Sequence, residues 1–311
     1  MTAGAARPPS LPEPFAERLV VGADDGLELS LYRLREGKEG APSLLWGHAN
    51  GFPAGGYAPL LRLLARDFRV YAYDARGHGG SGLPDGEPDF DRYAADLGLV
   101  CHAAKADAGG APLFYASHSF CGVAGLRLAG VCGREPWEAF TAFEPPISPP
   151  FDHPARGFSV AASRELSGMA RRRRPRWADP ETFRLALAER DAYRCFDAEA
   201  LAGHCRGSLH PTDAGDWQLA CPGPLEAHNY EAALDPSTYE GLARIARPVT
   251  FVASVDGGAS GNPSWAATVQ ADCAERVPNG RLATFPHAGH LVPFEDPPRC
   301  AAEVSRMLAG D

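Results

Sequence analysis

One serine, Ser119, lies at the junction between an apolar strand pattern and a helix pattern in the segment 112–122. A sharp strand-to-helix turn exposes a serine hydroxyl at the carboxyl end of a sheet and directs the helix N-terminus towards it. Such a turn needs small residues two positions before and after the serine. Ser117 and Cys121 are small, although glycine is usual at both positions. The segment therefore predicts a nucleophilic serine; the alternative is a serine that caps an ordinary helix.

Two backbone N–H groups are candidates for holding an oxyanion. The apolar run 43–46 leads into the loop 47–53, where an acyl-transfer enzyme with such a sheet keeps one of its N–H donors. We expect this donor to be the N–H of Asn50 and the second donor to be the N–H of Phe120. His48 in the same loop is expected to be a buried histidine bonded to a loop carbonyl.

A general base is predicted in the loop after the last strand pattern, 281–285. Of the ten histidines, only His287 and His290 fall in this loop. His290 is the better candidate, because it follows a glycine and precedes Leu-Val-Pro, which would turn its side chain back over the sheet edge. A metal site made of these histidines and Glu295 is the alternative, but no supporting cluster of ligands is found elsewhere in the sequence.

The carboxylate that would orient the histidine has two candidates. Asp256 follows the strand pattern 248–254, and Glu144 follows the strand pattern 140–143. Both strands end at the edge where the serine is expected, so either carboxylate could accept a hydrogen bond from the imidazole Nδ1–H. The chain order Ser, Asp, His favours Asp256, and Glu144 is the alternative acid or a residue that holds a loop.

Short apolar runs that alternate with helical patterns indicate buried parallel strands. The strand patterns lie at 18–22, 27–33, 43–46, 69–73, 112–116, 140–143, 248–254 and 281–285. From about residue 149 to 236 no strand pattern is convincing, and amphipathic helical segments dominate. The sequence thus predicts an α/β core made of residues 1–148 and 237–311, interrupted by a helical cap at 149–236.

The stretch YDARGHGGS at 73–81 is similar to the D-x-R-G-H-G-x-S sequence that follows the fourth strand in the α/β-hydrolase fold superfamily. Together with the serine elbow, the HAN sequence of the oxyanion loop and the AGH sequence before the last helix, it makes the chain resemble that superfamily over 15–148 and 237–311. The resemblance implies a mostly parallel eight-stranded sheet flanked by helices, with the cap inserted after strand 6. In relatives, Asp74 and Arg76 have a structural role.

These features predict a capped, esterase-like serine hydrolase that cleaves a small or medium carboxylic ester and needs no cofactor or metal. Ser119 would form an acyl-enzyme, His290 would transfer the proton, and Asp256 would orient His290. Three alternatives on the same fold stay open: a C–C bond hydrolase or lyase with the same triad, a cofactor-free dioxygenase, and a non-catalytic ligand receptor. Such dioxygenases resemble this chain in having a carboxylate after strand 6, where Glu144 stands, and a run similar to residues 117–119.

The predicted cap contains candidate residues for substrate selection. An arginine run, 171–174, is followed closely by Arg176. Such a run usually faces water, but one or two of these arginines could bind a substrate that carries a free carboxylate, such as a half-ester. The aromatic residues that could line a pocket, or form the core of the cap itself, are Phe151, Trp177, Phe183, Tyr193, Phe196 and Trp217.

Composition excludes some classes of protein. The 30 Lys and Arg residues against 39 Asp and Glu residues give a net charge of −9, which argues against a nucleic-acid partner. No apolar stretch is long enough for a membrane span or a signal-peptide core, so a cytoplasmic location is expected. The scattered cysteines predict reduced thiols rather than a disulfide framework or a zinc site. The sequence leaves the oligomeric state open.

Overall fold

The computed structural model describes residues 11, 13–37, 40–255 and 267–310. The strands in the described residues are β1 (Phe15–Gly22), β2 (Glu28–Gly37), β3 (Ser43–Gly47), β4 (Arg69–Asp74), β5 (Leu113–His118), β6 (Phe140–Phe143), β7 (Arg176–Trp177), β8 (Leu209–Pro211), β9 (Trp217–Leu219), β10 (Val249–Ser254) and β11 (Gly280–Phe285). Eight of them form one sheet in the order β1-β2-β4-β3-β5-β6-β10-β11. Pairing is antiparallel between β1, β2 and β4 and parallel in the rest of the sheet. The predicted eight-stranded, mostly parallel sheet is confirmed.

The helices in the described residues are α1 (Ala58–Leu64), α2 (Phe90–Asp107), α3 (Phe120–Gly130), α4 (Arg156–Arg171), α5 (Pro180–Ala188), α6 (Ala198–Gly207), α7 (Gly223–Ala232), α8 (Ser237–Gly241), α9 (Ala267–Arg276), α10 (Val292–Glu295) and α11 (Pro297–Ser305). Alternate residues of each strand point to opposite faces of the sheet, so each face builds its own core. On β3, for example, Leu45 belongs to the core that includes residues of α2, α3 and α9, whereas Leu44 and Trp46 belong to the core that includes residues of α1 and α11. Because both faces are covered, the central parallel strands β3, β5, β6 and β10 are buried along their whole length, whereas the edge strand β11 is partly exposed.

The segment between β6 and β10 leaves the large sheet. We call residues 149–236 the insertion; its boundaries stay a prediction. It contains α4 to α7 and a small core that includes Trp177 and Phe183, so these two aromatic residues pack within the insertion. It also contains a second sheet of the order β7-β9-β8, and the expectation that this segment has no strands was therefore wrong. Strands of two or three residues are too short to show a periodic pattern.

The parallel strands bring distant residues to one edge of the sheet. β3, β5, β6, β10 and β11 run in the same direction, so their carboxyl ends lie together. The loops that leave these ends carry Asn50, Ser119, Glu144 and His290. In open α/β sheets this edge is where ligands bind.

Asp74, the last residue of β4, holds neighbouring segments in place at this edge of the sheet. Asp74 is buried and accepts hydrogen bonds from the N–H of Ala54 at 2.7 Å, the N–H of Gly80 at 2.8 Å and the hydroxyl of Tyr32 at 2.9 Å. Desolvation raises the pKa of Asp74, and these donors counteract the rise. The contacts are those of a residue that holds loops in place, which agrees with the role implied by the resemblance.

Membrane-spanning helices, metal-binding clusters and disulfides are all absent from the residues that the structure describes. No helix there is long and apolar enough to cross a membrane, and no group of three or more His, Cys, Asp or Glu side chains there is arranged to hold a metal ion. All eight cysteines lie in the described ranges and none is in a disulfide.

Candidate active site

Ser119 occupies a strained turn between β5 and α3. Its φ of 53° and ψ of −111° are unusual for a residue with a side chain. The hydroxyl does not cap α3, so the N-cap alternative is not what the structure shows. The N–H of Ser119 donates to the carbonyl of Phe143 at 2.8 Å, which fixes the turn against β6.

A glycine on the neighbouring strand compensates for the missing glycines of the elbow. A Cβ atom at Gly47 would lie 2.5 Å from Cβ of Cys121 and 3.2 Å from Cβ of Ser117. The two small side chains of the elbow therefore occupy space that Gly47 leaves free. The S-H-S-F-C sequence can form the sharp turn because β3 ends in a residue without a side chain.

His290 lies within hydrogen-bonding distance of a serine hydroxyl and of a carboxylate, the two groups that a general base for a serine nucleophile needs. Its Nε2 is 3.1 Å from Oγ of Ser119, and its Nδ1 is 3.4 Å from Oε2 of Glu144. The second distance is long for a hydrogen bond, and such contacts often tighten only when substrate binds. The side chain of His290 is 39% exposed, so the ring is accessible to solvent.

Three hydrogen bonds hold the loop that carries His290. The N–H of Gly289 donates to Oε2 of Glu295 at 2.7 Å, and the hydroxyl of Ser254 donates to the carbonyl of Gly289 at 2.8 Å. Nε2 of His118 is 2.7 Å from the carbonyl oxygen of His290 itself. Glu295 thus fixes the backbone of this loop. Burial raises the pKa of Glu295, and the Gly289 N–H opposes that rise.

Glu144, the acid that the sequence ranked second, is the carboxylate that meets His290. It is completely buried, its Oε1 accepts a hydrogen bond from the N–H of Ser254 at 2.5 Å, and its Oε2 faces the imidazole. Asp256, the preferred candidate, lies outside the described residues.

Backbone strain is concentrated at this edge of the sheet. Within the described ranges the non-glycine residues with positive φ are Ser119, Glu144 (51°) and His287 (64°). Each such position costs on the order of 1–3 kcal/mol and persists only where the surrounding structure enforces it. Glu144 is held there in part by its own N–H, which donates to the carbonyl of Val252 at 2.9 Å. Sequence patterns carry no signal for this conformation in a glutamate.

The two predicted oxyanion donors are free. Neither the N–H of Asn50 nor that of Phe120 has a hydrogen-bond acceptor among the residues that the structure describes. Phe120 is the first residue of α3, where a helix leaves N–H groups unpaired and carries partial positive charge. His48 is buried as expected: its Nδ1–H donates to the carbonyl of Ala49 at 2.8 Å, and its Nε2 accepts the N–H of Ala75 at 2.9 Å.

The side chain of Asn50 has a role that the sequence did not suggest. Its Nδ2 donates to the carbonyl of Glu226 at 2.8 Å, and its Oδ1 accepts from Nδ2 of Asn229 at 2.9 Å. Both partners belong to α7, so the amide joins the oxyanion loop to the insertion. The contact pairs residues 176 and 179 positions apart, which no sequence pattern reveals.

Arg173 is the one residue of the arginine run that the structure directs inward. Its side chain is 18% exposed and forms an ion pair with Glu226, whose side chain is 11% exposed. A Cβ atom at Gly51 would lie 3.2 Å from Nη1 of Arg173, so the ion pair lies directly against the oxyanion loop. Arg171 pairs with Glu231 at the surface; Arg172 is exposed, Arg174 packs over Trp177 and Arg176 pairs with Asp216.

Buried histidines make the protein sensitive to acid. His48, His78, His118 and His204 are buried, and desolvation lowers their pKa values from 6.5, to about 4 for His48 and about 3 for His78 and His204. The unfolded chain therefore takes up these protons at a higher pH than the folded chain, so stability falls as the pH drops below about 6.5. Both ring nitrogens of His204 lack a partner within the described residues.

We expect the free energy of unfolding to decrease between pH 7 and pH 5, and the variant His204→Leu to show a shallower decrease. At 1.36 kcal/mol per pKa unit, removing this one histidine should reduce the loss over that range by about 2 kcal/mol. Urea unfolding at pH 7, 6 and 5 measures both slopes. Parallel curves for the two proteins would contradict a neutral, buried His204.

Comparisons with known proteins agree with the architecture. The model of a family described as the alpha/beta hydrolase family matches residues 40–303. Among solved structures, E-2-(acetamidomethylene)succinate hydrolase is similar with a TM-score of 0.75 and 17% identity, over 94% of this chain and 100% of that one. An esterase from Thermogutta terrifontis with bound malate gives a TM-score of 0.65, 20% identity and coverage of 95% and 99%. The enol-lactonase from Burkholderia xenovorans LB400 gives a TM-score of 0.63 and 19% identity, over 94% of this chain and 98% of that one. At these identities the structural likeness shows the fold alone.

Proposed function

Since the chain belongs to the alpha/beta hydrolase family, we propose that it is a serine hydrolase that cleaves a small or medium carboxylic ester. The observation that carries this proposal is the alignment of Ser119 Oγ, His290 and Glu144 at the carboxyl edge of the sheet, with contacts of 3.1 Å and 3.4 Å. A strained serine, a histidine within reach and a buried carboxylate behind it are the parts of an activated nucleophile.

The proposed reaction proceeds in two halves. Ser119 Oγ attacks the ester carbonyl while Nε2 of His290 takes its proton, and the carbonyl oxygen becomes an oxyanion held by the N–H groups of Asn50 and Phe120. The intermediate collapses, and His290 returns the proton to the departing alcohol. Water then attacks the acyl-enzyme with His290 again as base, which releases the acid and restores the serine. These residues complete the cycle without a cofactor or metal.

We assign the orienting role to Glu144. Its negative charge would hold the imidazole with Nδ1–H towards it and stabilise the imidazolium that forms in each half-reaction. The Ser254 N–H fixes the other oxygen of this carboxylate, so the acid is rigid before substrate binds. Asp256 stays the alternative acid that the chain order suggested.

Hydrolysis of short p-nitrophenyl esters tests the reaction class. We expect turnover that is saturable and is lost in Ser119→Ala. Binding of such esters without turnover would instead indicate a ligand receptor on this fold. A C–C bond hydrolase or a lyase with the same triad would show itself by turning over its own substrates and leaving esters intact.

A cofactor-free dioxygenase is the second candidate, and the position of Glu144 after β6 favours it. There the histidine would deprotonate an organic substrate, and Ser119 would not form a covalent bond. Oxygen consumption with a heteroaromatic substrate, together with no reaction of Ser119 with an organophosphorus probe, would support this candidate over the hydrolase.

Arg173 suggests that the substrate carries a carboxylate of its own. Only its Nη1 has a partner among the described residues, namely Glu226, so the other guanidinium N–H groups are available to a carboxylate. We expect a half-ester to be preferred over its neutral diester, and the preference to drop about 10- to 100-fold in Arg173→Gln through KM.

Steady-state kinetics with both esters measures this preference. The double variant Arg173→Gln/Glu226→Gln avoids leaving Glu226 buried without its partner, and Arg174→Gln is the surface control. An unchanged preference in the double variant would show that Arg173 has only a structural role.

A further inference from the structure

A chain of hydrogen bonds connects the oxyanion loop to the base through two buried residues that the proposed reaction does not use. Tyr57 lies at the end of the short 3₁₀ turn Ala54–Tyr57, and His118 is the last residue of β5. The hydroxyl of Tyr57 is 3.0 Å from the N of Ala49 and 2.8 Å from Nδ1 of His118. Nε2 of His118 is 2.7 Å from the carbonyl oxygen of His290.

The donors and acceptors of this chain can be arranged in only one way. A carbonyl oxygen only accepts, so Nε2 of His118 must carry the proton that it donates to His290. Burial lowers the pKa of His118 well below its usual range, so the ring is neutral and its Nδ1 accepts. The Tyr57 O–H therefore donates to Nδ1, and its oxygen accepts the Ala49 N–H. In this arrangement each donor has one acceptor, and the two ring nitrogens of His118 have fixed, different roles.

Hydrogen bonds on both sides of Ala49, one of them to Tyr57, fix the direction of an oxyanion donor. The Asn50 N–H belongs to the peptide group whose carbonyl is that of Ala49. This carbonyl accepts from Nδ1 of His48 at 2.8 Å and from the N–H of Phe52 at 3.0 Å. In a planar trans peptide the N–H points opposite to the C=O. Anchoring Ala49 at its carbonyl and, through Tyr57, at its own N–H therefore sets where the Asn50 N–H points.

We propose that Tyr57 and His118 are positioning residues that set the oxyanion loop and the backbone of His290 relative to each other. The proposal rests on the proposed function, because it assigns these roles to Asn50 and His290. Preorganised donors act on the transition state, where charge develops, more than on the bound ester. We call the chain of hydrogen bonds from Ala49 through Tyr57 and His118 to His290 the relay. Its loss should therefore lower kcat and leave KM nearly unchanged.

The variant Tyr57→Phe removes one hydroxyl and keeps the ring. That ring packs against Phe294 and Trp46, with centroid distances of 4.7 Å and 5.3 Å, so the fold is expected to survive. We expect kcat to fall about 10- to 100-fold with KM within about twofold, since one oxyanion donor is typically worth 10²–10³ in kcat. His118→Gln keeps an N–H donor near the His290 carbonyl and should lose less than His118→Phe.

Tyr71→Phe is the matched control, because Tyr71 is also buried and its hydroxyl donates to Asp107 at 2.6 Å, away from the site. Both tyrosine variants should lose stability, measured by urea unfolding, but only Tyr57→Phe should lose kcat. A kcat within twofold of the parent in Tyr57→Phe would overturn the proposal and leave the relay with a structural role alone.

A second readout separates this proposal from the proposed function. In protein with ¹⁵N-labelled histidine, His118 should show a protonated Nε2 and an unprotonated Nδ1 at every pH from 5 to 8. This expectation does not depend on ester hydrolysis. If no ester is cleaved, the proposed function fails, but the spectrum still tests the hydrogen bonds of His118. A protonated Nδ1, or a ring that titrates in this range, would contradict the relay.

Discussion

Replacing Ser119 with alanine is expected to lower kcat for ester hydrolysis by roughly 10⁶-fold, the loss measured when the serine of a comparable triad is removed. The side chain lies at the tip of the turn, is 5% exposed and meets Nε2 of His290. Without Oγ no acyl-enzyme can form, and only the oxyanion donors and substrate binding remain. Steady-state kinetics, with circular dichroism to verify the fold, measures the effect.

Ser117→Ala is the control for this variant. The Ser117 hydroxyl is buried and has no hydrogen-bond partner in the described part of the chain, so its removal should leave kcat close to that of the parent. Loss of activity in Ser117→Ala together with activity in Ser119→Ala would show that Ser117, and not Ser119, is the nucleophile.

Replacing Glu144 with glutamine is expected to lower kcat by about 10⁴-fold, as in a well-studied triad in which the acid was changed to its amide. An amide at this position would let the imidazole adopt the wrong tautomer and would not stabilise the imidazolium. The shape of the side chain and its contact with the Ser254 N–H are retained, so the fold should persist. Kinetic measurement of Glu144→Gln beside Asp256→Asn tests the assignment.

Asp256→Asn should retain most of the activity. If that variant instead loses orders of magnitude while Glu144→Gln stays active, the acid follows β10, as the chain order suggested, and Glu144 serves to hold the loops. A comparable loss in both variants would mean that the two carboxylates act together, which contradicts the assignment to Glu144 alone.

The positions of Ser119 and His290, the proposed nucleophile and base, follow from patterns that are local in the sequence. Ser119 comes directly after β5 and His290 lies in the loop that follows β11, and parallel strands place such loops at one edge. By the same logic Asn50, in the loop after β3, lies at this edge, and its part as an oxyanion donor stays a prediction. The ends of these strands are marked well in the sequence.

The choice between the two acids could not be made in this way. Glu144 and Asp256 both follow strands that end at the same edge, so strand position does not distinguish them. What brings Glu144 to His290 is a backbone with positive φ and the Ser254 N–H, which lies 110 residues away in the chain. Such conformations depend on the packed structure around them.

The relay and the insertion also depend on long-range contacts. Tyr57 and His118 are 61 residues apart, and Arg173 meets Glu226 53 residues later. An arginine run predicts a charged surface, and four of the five arginines at 171–174 and 176 do lie there. Arg173 is the one that points inward, because its partner Glu226 belongs to α7, and α7 contacts the oxyanion loop.

Covalent labelling shows whether Ser119 is a nucleophile activated by His290. The protein is treated with a fluorophosphonate, and the adduct is located by peptide mass spectrometry in the parent, in Ser119→Ala and in His290→Ala. We expect a single adduct on Ser119 in the parent, none in Ser119→Ala and strongly slowed labelling in His290→Ala. An adduct on Ser117, or an unlabelled protein that still hydrolyses esters, would contradict it.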